Sequence, residues 1–192
     1  PALQSILLDE PFSALDPSLR TSLRTDIQTA LQATGTTALL VTHDQQEALS
    51  LADQVGVLRD GRLVQTSDPV TLYRDPADPD LASFIGDAIL LPAIVDGDSA
   101  DCALGRLPLR HARTDGPATV LIRPEQLRLG PGTTTARVLS IAYYGHDADI
   151  HLALPETGGV ASQVTARALA HDLPDVGDTV HLTIQGTVIA YP

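Results

Sequence analysis

Two apolar runs, Ser5 to Leu8 and Thr37 to Thr42, bracket a stretch whose apolar residues Leu19, Leu23, Ile27 and Leu31 recur every fourth position. Few folds accommodate that order. The spacing predicts an amphipathic helix that opens at Asp16, an N-cap with Pro17 at the first helical position, and stops at Gly35. A strand, a helix and a second strand make a βαβ unit, whose strands lie parallel because the crossover returns the chain to the same end of the sheet. Parallel strands are ordinarily buried on both faces, so both runs are expected in a core. Each run ends on polar residues, Asp9-Glu10 and His43-Asp44, at the C-terminal strand ends where function collects in α/β sheets.

Asp44 and Glu47 have the spacing of a capping box, with Glu47 reaching back to the cap, which predicts a helix from Gln45 to about Ala52. Val55 to Leu58 and Leu63 to Gln65 flank Arg59-Asp60-Gly61-Arg62, and Asp-Gly is a strong signal for a two-residue hairpin turn. A segment rich in Pro and Asp follows, then a short helix from Leu81 to Ile85 that closes at Gly86, where the domain boundary is placed. Beyond it, alternating runs at Thr119 to Ile122, Ala136 to Ile141, Ile150 to Leu154, Gln163 to Ala168 and Thr179 to Ile184 are separated by Gly, Pro and Asp, as in a small β-barrel or sandwich. The expected plan is an α/β domain over residues 1–86 and an all-β domain over residues 87–192. Aromatic residues make up only 3% of the chain, so its cores must rest on Leu, Val, Ile and Ala.

The net charge of −12 would repel a phosphate backbone, and nucleic acid is excluded as a partner on that ground. The longest apolar stretch, Ala88 to Val95, is interrupted by Pro92 and is too short to cross a bilayer, so membrane association is expected only through a partner. The single Cys102 has no internal disulfide partner, which fits a reducing cytoplasmic compartment, and it reads as a small core residue. The chain starts at Pro1, without Met and directly before a core strand, and is expected to be the C-terminal part of a longer protein.

Adjacent carboxylates at a strand end diverge, so one can serve a metal ion while the other faces a second reactant. Phosphoryl transfer uses such a division: a strand-terminal Asp holds Mg²⁺ and a further group orients the attacking water. Taken singly, Asp9-Glu10 reads better as a solvated strand end and His43 as a strand-end imidazole bonded to its neighbours. Together, Ile6-Leu7-Leu8-Asp9-Glu10-Pro11-Phe12-Ser13-Ala14-Leu15-Asp16 and, one crossover later, Val41-Thr42-His43-Asp44 resemble the extended Walker B motif, D-loop and switch-histidine loop of ABC ATPases. The resemblance implies a partial RecA-like P-loop NTPase core. It implies that Asp9 acts on Mg²⁺, that Glu10 polarises the hydrolytic water, and that His43 contacts the γ-phosphate of ATP. Ser13, Ala14, Leu15 and Asp16 would lie at the interface with a second ATP-binding subunit. The phosphate-cradling loop of that family ends in Lys, and all twelve basic residues of this chain are Arg. The chain alone is therefore expected to hydrolyse no ATP.

Leu72-Tyr73-Arg74-Asp75-Pro76 and Ala82-Ser83-Phe84-Ile85-Gly86 resemble the linker of importer subunits for sugars, polyamines, sulfate or ferric iron, and Leu90 to Leu109 is closest to the ferric-iron subgroup. Ile122-Arg123-Pro124-Glu125 and Tyr143-Tyr144-Gly145 resemble landmarks of the TOBE domain, an OB-like β domain. The family implies a homodimer that energises transmembrane permease subunits, served by an extracytoplasmic solute-binding protein and seated on the inner face of the cell membrane. Arg123 and Glu125 are candidate regulatory residues, or else a structural ion pair beside a turn. His146, Asp147, Asp149 and His151 have the alternation of a weak metal site but read better as a hydrated strand face. A different class of reading is a stand-alone, non-catalytic module that senses a solute or dimerises through its β domain.

Overall fold

A computed structural model of the chain describes residues 5–155, 162–171 and 173–192. The chain forms two compact units, residues 1–77 and 78–192. The division falls before the short helix ending at Ile85 rather than after it, because that helix packs with the β unit.

In the first unit, β1 (Ser5–Asp9) and β2 (Thr37–Val41) pair in parallel from Ser5 opposite Thr37 to Asp9 opposite Val41, joined by α1 (Pro17–Thr34). The βαβ expectation therefore holds, and Asp16 accepts from the Leu19 amide at 3.0 Å as the N-cap. Burial is where the expectation fails. Leu7 is 65% and Leu39 64% exposed, and Leu19 and Leu23 of the helix stripe are exposed as well. Two strands and one crossover helix do not supply the neighbours that parallel strands need on both faces. After α2 (Gln45–Leu51), β3 (Val55–Arg59) and β4 (Arg62–Ser67) form the expected hairpin. Asp60 and Gly61 both take positive φ, 52° and 73°, as a type I′ turn demands. The Pro- and Asp-rich stretch that follows holds α3 (Pro69–Arg74), where Asp68 caps through the Thr71 amide and Pro69 occupies the first turn. Phe12, Val55, Val57 and Leu72 are buried apolar residues of this unit.

The second unit opens with α4 (Pro79–Ile85), capped by Asp78 through the Leu81 amide. Its strands are β5 (Ile89–Asp96), β6 (Ser99–Cys102), β7 (Gly105–Pro108), β8 (Gly116–Ile122), β9 (Leu127–Tyr143), β10 (Asp147–Ala153), β11 (Gln163–Leu169), β12 (Thr179–Ile184) and β13 (Ile189–Tyr191). They make a five-stranded sheet ordered β13-β8-β5-β6-β7 and a four-stranded sheet ordered β11-β10-β9-β12. A bridge between Leu109 and Val188, with the Arg110 amide donating to the Val188 carbonyl at 2.8 Å, joins the two edges of the larger sheet. One core runs through both sheets, with Leu91, Val95, Val120 and Ile122 meeting Leu127, Val138, Ile150, Leu152 and Leu182. This is a β-sheet domain of the kind expected.

Ala88 to Val95, read as an interrupted apolar stretch, is the strand β5. Pro92 is exposed and opposes Thr119 of β8, and β6 begins to pair only at Ala93, so the missing amide stands where one edge is open. The register of β9 against β12 jumps between His181 and Leu182, which oppose Thr135 and Leu129. At the jump, a Cβ on Gly132 would lie 1.8 Å from the Leu182 carbonyl oxygen, so the backbones meet at a distance that only glycine permits.

Candidate active site

β1 and β2 run parallel in register, so their C-terminal ends bring Asp9-Glu10 and His43 to one sheet edge. The Glu10 amide donates to the Val41 carbonyl at 2.8 Å, and the residue then turns with φ 46°, a left-handed conformation that bulky side chains seldom adopt. That turn aims the Glu10 carboxylate across the strand gap. Its Oε1 accepts from the His43 amide at 3.0 Å and lies 2.7 Å from His43 Nδ1. The imidazole itself is 82% exposed. The bond to Glu10, and after it the negative charge of Glu10, raises the His43 pKa above 6.5.

Asp9 ends the strand with its side chain exposed, apart from the Glu10–His43 pair. Ser13 turns back on the strand end, its hydroxyl donating to the Glu10 carbonyl at 2.9 Å and its amide to the same oxygen at 3.3 Å. Ala14 is exposed, Leu15 donates its amide to the Phe12 carbonyl, and Asp16 caps α1. The loop from Pro11 to Asp16 is thus a closed turn seated on the buried Phe12.

Sequence reasoning misassigned Glu47. Asp44 caps α2 as expected, accepting from the Gln46 and Glu47 amides at 2.8 and 3.1 Å. The return bond of the capping box is absent: the Asp44 amide donates to Thr42 Oγ1 at 3.0 Å instead. Glu47 is only 2% exposed, accepting from Thr42 Oγ1 at 2.7 Å and from Arg24 Nη2 at 3.0 Å. Arg24 also reaches Asp44 Oδ2 at 3.3 Å and lies 5.8 Å from the Phe12 ring centroid. A Thr two residues before Asp44 was the overlooked signal, because its hydroxyl competes for the cap amide and releases Glu47.

In the second unit, Arg123 is 4% exposed, and its Nη1 donates to the carbonyls of Ala82, Gly86 and Asp87 at 2.9, 3.1 and 2.8 Å. The side chain fastens the end of α4 to β8 through backbone oxygens, a partner set that the sequence pairing with Glu125 did not anticipate. Glu125 is half-buried in the 3₁₀ turn that follows. From β11, Arg167 grips Asp149 of β10 with Nε and Nη2 at 2.9 and 3.2 Å and meets Asp87 at 3.0 Å, while His151 of β10 shares a hydrogen bond with Thr165 of β11. Asp149 and Asp87 together raise the Arg167 pKa above its ordinary range. A cation of the chain's own therefore sits among these carboxylates. Cys102 is half-buried against the core, and burial raises its pKa.

A parallel α/β unit with acid and imidazole at its strand ends, followed by a β-sheet unit, resembles the C-terminal part of ABC transporter ATP-binding subunits. Residues 120–189 match the TOBE domain, and residues 88–124 match the FbpC-like regulatory domain. The chain is 43% identical over 188 residues to the Fe(3+) ions import ATP-binding protein FbpC of Pseudomonas fluorescens Pf-5, covering 94% of this chain and 53% of that protein. It is 42% identical over 190 residues to the Fe(3+) ions import ATP-binding protein FbpC 1 of Rhodococcus jostii RHA1, covering 97% and 55%. The Fe(3+) ions import ATP-binding protein FbpC of Serratia marcescens is 38% identical over 185 residues, covering 94% and 53%. The chain thus spans about half the length of the curated relatives it matches.

Proposed function

We propose that the protein to which this chain belongs is the ATP-hydrolysing subunit of an importer for ferric iron, and that Asp9, Glu10 and His43 are its share of the hydrolytic site. The observation that carries this reading is the bond pair from His43 to one oxygen of Glu10, formed at the ends of two parallel strands. The names of the relatives support the ferric-iron assignment.

Mg²⁺ bound to ATP neutralises developing phosphate charge in such sites. The residues present fit that ion. Asp9 offers an exposed carboxylate at the strand end, and Mg²⁺ characteristically takes one or two carboxylates, with water and phosphate oxygens completing the shell. Asp9 would serve as its protein ligand, acting through water. Glu10 holds and polarises the attacking water through its carboxylate. His43 donates to a γ-phosphate oxygen; its exposed ring leaves an edge open for that bond, and its raised pKa favours the donating form. The turn from Ser13 to Asp16 faces a second ATP-binding subunit in a homodimer. The unit belongs to a RecA-like core whose remaining elements would cover the apolar faces of Leu7 and Leu39.

The transmembrane permease supplies the path for iron, and an extracytoplasmic solute-binding protein delivers it. No helix among the described residues is long and apolar enough to cross a membrane. The proposed subunit works from the cytoplasmic face through its contact with the permease. Phosphate release by the complete subunit, measured with magnesium and ATP, tests the assignment. Glu10→Gln and His43→Ala are each expected to reduce turnover at least about a hundredfold, the scale of a lost catalytic acid–base group. Near-wild-type turnover in Glu10→Gln would refute the assignment. The 192-residue chain, having no Lys, is expected to release no phosphate above background.

A further inference from the structure

We infer that Arg24 and Glu47 are positioning residues for His43, locking the loop Thr42-His43-Asp44 against α1 and α2 so that its amide and ring face Glu10. The inference rests on the catalytic reading above for its functional meaning, but the geometry stands without it.

The loop has no regular structure of its own, yet it must present two donors to one oxygen. His43 is mostly exposed, so packing does not set its direction. The two residues flanking it are instead tied down. Thr42 donates its hydroxyl to Glu47 at 2.7 Å and accepts the Asp44 amide at 3.0 Å. Asp44 is held from its other side by Arg24 Nη2 at 3.3 Å. The same Nη2 reaches Glu47 at 3.0 Å, so one guanidinium and one buried carboxylate close a ring of bonds around the loop. Arg24 in turn lies by Phe12, which is fully buried beneath the turn that starts at Glu10. Both halves of the Glu10–His43 pair are thereby referred to one side chain of α1. A buried carboxylate is costly to keep unless it is paired and hydrogen-bonded, and here the pairing has the loop as its product. Supporting residues of this kind set catalytic geometry to within a fraction of an ångström.

The test is amide exchange and histidine ring spectroscopy by NMR on the ¹⁵N-labelled 192-residue chain. Arg24→Met and Glu47→Gln are each expected to speed exchange of the His43 amide at least about tenfold, the loss of roughly one hydrogen bond. The His43 ring signals should move toward those of a Glu10→Gln chain, while the Val55 and Val57 amides keep wild-type rates. Arg24→Lys, which restores the charge without the fork, is expected to fall between. A role in general stability alone would move Val55 and Val57 together with His43, and that result overturns the inference. So does an unchanged His43 amide and ring in both variants. Should Arg24→Met fail to fold, Thr42→Val, which keeps shape and removes the linking hydroxyl, decides by the same readings. ATP takes no part in this measurement, so a negative result leaves the hydrolytic assignment standing. A hydrolytic assignment lost through an active Glu10→Gln subunit leaves the positioning result intact.

Discussion

Arg123→Met should release the end of α4 from the β unit at a cost of about 3–5 kcal/mol, the range for removing one member of a buried charged network. The two N–H groups of the native Nη1 are shared among three carbonyls, those of Ala82, Gly86 and Asp87. Charge-assisted bonds contribute roughly 1.5–3 kcal/mol each, so a simple sum would exceed the expected total. The sum overstates because the Gly86 and Asp87 bonds are only partly buried and water can replace the donor there, whereas the Ala82 bond is fully buried. Methionine keeps most of the aliphatic volume, which limits the cavity contribution. The assay is native-state amide exchange at Val120 and Ile122, both fully buried in the core of this unit, together with a thermal melt of the same unit. For a domain of about 100 residues a loss of this size lowers the melting temperature by roughly 10–20 °C. Arg123→Lys should recover part of it, since one ammonium can reach the carbonyls but without the planar fork. A variant within about 0.5 kcal/mol of wild type would refute the reasoning, because that is the range of a surface substitution.

Gly132→Ala should destabilise the second unit by about 3 kcal/mol or more, since the added Cβ would fall 1.8 Å from the Leu182 carbonyl oxygen; a melting curve at wild-type temperature would contradict this. The His43 pKa, followed by ring proton shifts, should lie above 6.5 and return toward it in Glu10→Gln. Because the folded value is raised, the His43–Glu10 contribution to stability is full below pH 6.5 and is lost as pH rises through the raised value. Amide exchange in β1 and β2 should be faster than in β8, since Leu7 and Leu39 stand exposed and their sheet has only two strands; equal protection would contradict it.

Local pattern accounted for much of what was seen. The four-residue spacing of Leu19 to Leu31, the Asp16-Pro17 cap and the Asp60-Gly61 turn each depend on residues close in sequence, and each element lies where its pattern put it. The meeting of Glu10 with His43 was also legible, because parallel pairing after one crossover sends both strand ends to one edge. Other elements escaped because their cause is distant. β6 and β7 are four residues each, with an alternation too short to register, and they exist because β5 is there to pair with. The helix α3 was hidden by the Pro and Asp residues that start it.

The amino-acid order by itself determined the βαβ unit, the hairpin, the caps, and the placement of acid and imidazole at adjoining strand ends, since these follow from backbone geometry within a few dozen residues. Only the tertiary structure decided that Glu47 turns inward to Arg24 and Thr42, that Arg123 is committed to the carbonyls behind α4, and that Gly132 must lack a side chain. The physical reason is common to all three. A buried charge takes whichever partner the fold brings within about 3 Å, and a backbone crossing excludes whatever does not fit. Neither distance is encoded in the spacing of residues along the chain.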